Sequence, residues 1–258
     1  NCLGVRNAPP LMNLAWQKEF MLDGGINHLD KAPLRALLDT CEMDSNLDTI
    51  VARLKKDKQY PSMFKSAFGS DKITTQKIMK ALSQYMVMLI SANSKYDKYM
   101  RHEVGGEFTP MEKEGYELFK ANCTSCHKEP LFSDYSYRNN GLDSVFSDDG
   151  RYIITKNAKD KGLFKVPTLR NITLTYPYMH DGRYPMLYHA LAHYSKKIIN
   201  SPNLDPVLIH NGKVGFDFTD YDLMKLEVFL KTLTDTSFVK DKRFEKPKDI
   251  NYKNQVYF

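Results

Sequence analysis

Cys123 and Cys126 enclose two residues, and His127 follows the second thiol directly, in the stretch "ELFKANCTSCHKEPLFSD". This is the pattern by which a c-type haem is attached: the thiols add across the vinyl groups, and the adjacent histidine is held under the iron as proximal ligand. A cysteine pair alone also suits a zinc half-site or a redox dithiol. Zinc would need a second pair, which the sequence lacks, and the histidine directly after the pair selects haem. Cys2 and Cys41 are then left over. Haem attachment in bacteria goes with an oxidising compartment, so these two thiols are expected to form a disulfide.

An iron held by His127 has a second axial position. Met179, His180, Met186, His189, His193 and Tyr194 all lie within "YPYMHDGRYPMLYHALAHYSKK". Each residue type packs or hydrogen-bonds more often than it ligates, and the residues alone choose none of them.

The elements that must position these groups are helical. Residues 45 to 57 set Leu47, Ile50, Val51 and Leu54 on one face behind a Ser45 or Asn46 cap. Residues 71 to 91 repeat the pattern, with Asp71 as cap and Ile78, Leu82, Tyr85, Met86 and Leu89 as the apolar stripe. A third helix from Pro110 to Ala121 leads straight into the cysteine motif, and helical spacing returns near 185 to 197 and at 219 to 235. Between them, residues 128 to 184 are rich in Gly, Asp, Asn and Pro and are expected as loops wrapped round a cofactor. The stretch from about Phe238 to Phe258 is charged and aromatic without period, which predicts an extended surface tail. A boundary is expected near "RHEVGGEFTP", giving units at 1–107 and 108–235 with a tail at 236–258.

At 258 residues the chain can bury a core in each of two units. The net charge of +6 comes from lysines spread along the chain, which argues little for nucleic acid. No stretch approaches the ~20 apolar residues of a membrane helix. "NCLGVRNAPPLMN" lacks the layout of a signal peptide, so either an export signal has been removed or the chain is part of a longer product.

"LFKANCTSCH", "FKVPTLRNITLTYPYMHDGRY", "HY" and "FLKTLTD", with "VRNAPPLMNLAWQKEFMLDGGINHL" and "EM" at 42 to 43, resemble the bacterial di-haem cytochrome c peroxidase family, including its MauG-type branch. The likeness runs to about residue 235. It implies a mainly α fold: a cytochrome c-like haem domain with long loops, packed on a partial or degenerate second cytochrome c-like domain. It also implies peroxide reduction or oxidation of a protein partner and a periplasmic or otherwise exported location. The implied electron donor is a small cytochrome, a cupredoxin or a larger redox complex, and a homodimer is a candidate assembly.

Carried over residue by residue, the resemblance puts the C-terminal haem on Cys123, Cys126 and His127. The distal ligand, usually methionine in the peroxidases and tyrosine in the MauG-type branch, falls on Tyr194, with Met179 and Met186 as alternatives. A tyrosinate oxygen is hard and anionic, so it favours ferric iron and a low reduction potential. The calcium ligands fall on the Asn7 side chain and the carbonyls of Thr175 and Pro177. Glu42 matches the acidic residue that assists peroxide cleavage at the N-terminal haem by moving a proton between the two oxygens.

Three departures stand beside this match. No second CxxCH motif occurs, Ala32 stands where a glutamine is usual ten positions before Glu42, and Leu22 replaces the tryptophan before "DGG". Two expectations compete: a fragment whose missing head carries the peroxidatic haem, or a degenerate member whose N-terminal domain has become a scaffold and which holds a single haem for electron transfer.

Overall fold

The computed structural model describes residues 4–245. The chain runs through α1 (Ala32–Leu38), α2 (Leu47–Lys56), α3 (Tyr60–Phe68), α4 (Thr75–Met88), α5 (Lys95–Met100) and α6 (Pro110–Asn122). It continues through β1 (Tyr137–Arg138), α7 (Tyr152–Thr155), β2 (Phe164–Lys165), α8 (Leu187–Lys196), β3 (Ile209–His210), β4 (Lys213–Val214), α9 (Asp220–Lys231) and α10 (Thr236–Val239). Strand is confined, among the described residues, to the antiparallel ribbons β1–β2 and β3–β4. The fold is mainly α, as expected.

Local chemistry sets the helix starts. The side chain of Asn46 caps α2 by accepting from the Thr49 amide. Thr74 caps α4, not the expected Asp71, because the chain enters the helix three residues later than its charge pattern suggests. Thr109 and Glu112 close a reciprocal capping box at the head of α6 with Pro110 in the first turn, and Thr219 and Asp222 do the same for α9. These two helices carry the C-terminal core. They cross at Gly115, where an added Cβ would lie 2.1 Å from the Lys225 carbonyl oxygen and 2.9 Å from Phe229 Cβ.

Three apolar clusters divide the chain near residue 90. Tyr96, Phe108, Tyr116, Phe119, Phe132, Leu226, Phe229, Leu230 and Leu233 belong to the largest, built from α5, α6, α9 and the loops between. Leu14, Phe20, Ala32 and Met86 form a second, and Phe64, Ile73, Ile78 and Met79 a third, bounded by α1, α2 and α3. Tyr96, Tyr99 and Phe108, which precede or straddle the expected boundary at 107, thus pack with the C-terminal unit. On α4 the expected stripe holds for Ile78 and Met86 and fails for Leu82 and Tyr85, which are 37% and 43% exposed. The helix buries Met79 on its inner side instead, and Tyr85 meets the Phe244 ring edge-on. The stretch expected as an extended tail therefore begins with α10 and with Phe244 packed against Phe238, and residues 246–258 lie outside the described residues.

The halves are joined by a buried polar junction. Asp235, 1% exposed, accepts from the amides of Ala92 and Asn93 at 3.0 and 2.8 Å and from the Ser91 hydroxyl. Its own amide donates to Asn171 Oδ1 at 2.7 Å. Asn171 Nδ2 reaches Ser91 Oγ, and Asn13 exchanges two 3.0 Å hydrogen bonds with the Ser91 backbone. A second seam runs from Lys165, whose Nζ donates to Gln17 Oε1 and the Glu19 carbonyl at 2.8 and 2.7 Å, to Arg6, which pairs with both Asp23 and Asp148.

Candidate haem-attachment site

α6 delivers the motif. Its last turn ends at Asn122, Cys123 is the C-cap with its amide on the Phe119 carbonyl, and the His127 amide returns to the Cys123 carbonyl at 2.9 Å. The Asp134 amide donates to the Cys126 carbonyl at 2.8 Å, so the loop folds back over the motif. Cys123 and Cys126 are both free thiols. Burial pushes the Cys123 thiol up to about 12 and the Cys126 thiol also up.

His127 is held by its back edge. Nδ1 lies 3.1 Å from the Phe132 carbonyl, and since a carbonyl only accepts, that contact puts the ring proton on Nδ1, a tautomer that leaves Nε2 its lone pair; the Pro167 carbonyl is a second backbone partner of the ring. Burial lowers the imidazole's affinity for a second proton, which keeps that lone pair available. Phe132 is itself fully buried in the C-terminal core, so the acceptor is rigid. Nothing in the sequence pattern singles out Phe132, because its contribution is a backbone oxygen.

Of the six second-ligand candidates, α8 and the loop before it bring two together. Asn140 Nδ2 lies 3.5 Å from both Tyr194 Oη and Met179 Sδ. Burial raises the affinity of the Tyr194 phenol for its proton, and the Asn140 hydrogen bond opposes this. Met186 is 57% exposed at the N-cap of α8, turned to solvent. His180 stacks on Phe164 with ring centres 3.9 Å apart. His193, 1% exposed, donates from Nε2 to the Asn140 carbonyl at 2.9 Å, while its Nδ1 is a buried acceptor without a partner among the described residues. The donor set fits a c-type haem: two thiols, an adjacent imidazole with its Nδ1 on a backbone carbonyl, and a half-buried phenol and thioether brought together at Asn140.

The other expected groups are placed as follows. Asn7 donates from Nδ2 to the Pro177 carbonyl at 2.5 Å, and its amide donates to the His180 carbonyl at 2.7 Å. Two of the three expected calcium ligands are thus adjacent. The third, Thr175, closes the preceding turn with its amide on Ile172. Glu42 is exposed on the turn after α1, its amide on the Asp39 carbonyl, and no ion pair engages its carboxylate among the described residues. Cys41 is disulfide-bonded, while its expected partner Cys2 lies outside the described residues. Ala32 is buried at the start of α1, and the Leu22 carbonyl accepts from the Lys165 amide at 2.7 Å across the seam between the halves.

Residues 1–105 match the family described as di-haem cytochrome c peroxidase, and residues 112–234 match the cytochrome c family. The cytochrome c551 peroxidase of Nitrosomonas europaea is 32% identical over 236 residues, covering 90% of this chain and 66% of the relative. The methylamine utilization protein MauG of Methylophilus methylotrophus is 31% identical, covering 78% of this chain and 61% of the relative. A solved MauG-like protein associated with microbial copper homeostasis superposes with a TM-score of 0.85 at 28% identity, covering 95% of this chain and 79% of that one. The chain spans half to two thirds of the length of the curated relatives it matches.

Proposed function

Since the chain belongs to the di-haem cytochrome c peroxidase family, whose cytochrome c domain implies covalent haem c, we propose that residues 108 to 235 form the electron-relaying haem unit of an exported redox protein. That protein reduces hydrogen peroxide to water or, as in the MauG branch, oxidises a protein partner. Haem c bound through Cys123 and Cys126 supplies one-electron exchange between ferric and ferrous iron.

The protein's own residues set the terms of that exchange. The Phe132 carbonyl keeps the proton of His127 on Nδ1 and aims Nε2. Tyr194 contributes a hard oxygen from α8, which favours the ferric state and lowers the potential. The half-buried thiols and the buried core behind His127 keep water from the ligands. Glu42 exchanges a proton at its carboxylate oxygens with peroxide in the N-terminal unit. Asn7, Pro177 and Thr175 would supply oxygen ligands to a calcium ion, Asn7 through its side-chain oxygen with the amide turned over. The observation that carries the reading is the His127 imidazole, its Nδ1 on the Phe132 carbonyl, directly following the Cys123 and Cys126 pair.

A second reading, a mono-haem electron-transfer or structural subunit, is favoured by the N-terminal unit: Glu42 is exposed, and Ala32 and Leu22 occupy the positions of the usual glutamine and tryptophan. The test is haem stoichiometry and electron paramagnetic resonance on natively purified protein, before and after peroxide. The enzyme reading expects a high-spin ferric signal that peroxide abolishes. A lone low-spin signal, inert to peroxide, would sink that reading and leave the electron-transfer subunit.

A further inference from the structure

Asn140 hydrogen-bonds both candidates for the second axial position that α8 and its preceding loop bring together. Its side-chain amide carries two hydrogens, and Tyr194 Oη and Met179 Sδ each lie 3.5 Å from that nitrogen. The residue is not free to swing. Its carbonyl is pinned by His193 Nε2 at 2.9 Å, and His193 is a buried residue of α8, the same helix that presents Tyr194. On the other side Asn139 anchors the chain, with its Nδ2 on Ser201 Oγ at 2.7 Å and its Oδ1 on the Gly141 amide at 2.8 Å. Gly141 holds a left-handed φ of 69°, and an added Cβ there would meet Ile198 at 2.4 Å. The turn carrying Asn140 is therefore braced before, at and after it.

We propose that Asn140 is a positioning residue that donates a hydrogen bond to the Tyr194 oxygen, orienting it toward the iron and withdrawing charge from it, and thereby tunes the reduction potential of this haem. The inference rests on the reading of Tyr194 as axial ligand. A phenolate is a stronger acceptor than a neutral phenol, so the hydrogen bond strengthens when Tyr194 ligates. Drawing charge from that oxygen weakens its preference for ferric iron, as partners of a ligand generally tune a metal. The thioether of Met179, a weak acceptor, takes the amide's second hydrogen and is thereby kept off the iron.

The test compares Asn140→Leu, which keeps the bulk and removes the donor, with Tyr194→Phe in the haem-loaded full chain. The readouts are the ferric absorption spectrum and the midpoint potential. Asn140→Leu is expected to shift the spectrum and lower the potential by about 59 mV, a tenfold change in the ferric-to-ferrous ratio for one electron. Asn140→Ser, which retains a donor, is expected to restore part of that shift. If Tyr194→Phe changes the spectrum while Asn140→Leu leaves spectrum and potential at wild type, the inference falls and the ligand reading stands. If Tyr194→Phe leaves the spectrum unchanged, the ligand reading fails and the inference with it. A potential that rises in Asn140→Leu would overturn donation to Tyr194 and assign the amide to restraining Met179.

Discussion

A guanidinium and a carboxylate buried beside the candidate haem unit show how much a single pair contributes here. Arg170 meets Asp97 through two hydrogen bonds of 2.7 and 2.9 Å, with both side chains under a tenth exposed. Burial alone would raise the Asp97 carboxyl. The Arg170 guanidinium and the Ser94 hydrogen bonds outweigh it and hold the carboxyl below the usual carboxylate range. A depressed folded value means that the stabilisation is complete above the unfolded value of about 3.9 and is lost as pH falls through the folded one. Asp97→Asn is expected to cost about 3–5 kcal/mol at neutral pH, because it leaves Arg170 buried and unpaired. In denaturant titrations the gap to wild type should narrow below about pH 4; a gap constant from pH 7 to pH 3 would contradict the assignment. At this scale the sequence was partly legible. Cys123, Cys126 and His127 form a spaced motif, whereas Phe132 meets His127 through its backbone and Asn140 meets Tyr194 through a position in space, and neither leaves a pattern in one dimension.

The crossing of α6 and α9 decides where the cysteine motif lands, since α6 runs directly into Cys123. Replacing glycine by alanine inside a helix ordinarily stabilises by about 1 kcal/mol. At position 115 the sign should reverse, because the new methyl would meet the Lys225 carbonyl at 2.1 Å. Overpacking of this kind costs about 1–3 kcal/mol. Gly115→Ala is expected to lower the thermal midpoint and the yield of haem-loaded protein together, and a rise in midpoint would show that the helices do not approach so closely in solution. Periodicity anticipated α2, α6, α8 and α9 within a few residues of their ends, because each has an apolar face and all but α8 also have a side-chain cap. It missed α3 and α5, which are nine and six residues long and too short to establish a period. It also misread the face of α4, where Leu82 and Tyr85 are apolar by type and exposed by position.

Across the whole molecule, separate apolar clusters are made into one body by the junction of Asp235, Asn171, Ser91 and Asn13 and by the Lys165 seam. Burial lowers the Lys165 ammonium to about 8, against the pull of Glu19 and Asp23. Removing the Asp235 carboxylate by Asp235→Leu strands the amides of Ala92 and Asn93, with a loss on the order of 3 kcal/mol. Unfolding followed separately by tryptophan fluorescence at Trp16 and by haem absorbance should coincide in wild type and diverge in the variant; coincident curves at the wild-type midpoint would mean that the junction does not couple the halves. The turn residues at 101 to 110 suggested a boundary near 107 whereas the apolar clusters divide near residue 90, and the junction left no sequence signal, since its members are ordinary Asn, Ser and Asp spread from residue 13 to residue 235. That spread orders events in time as the chain is made. A ribosome delivers residues from the amino end, and domains close as their parts become available. Asn13 and Ser91 emerge long before Asp235, so the early half must wait, incompletely fastened, until nearly all of the later half has been synthesised. The cysteines at 123 and 126 emerge during that interval, while the last clasp of the fold is still open.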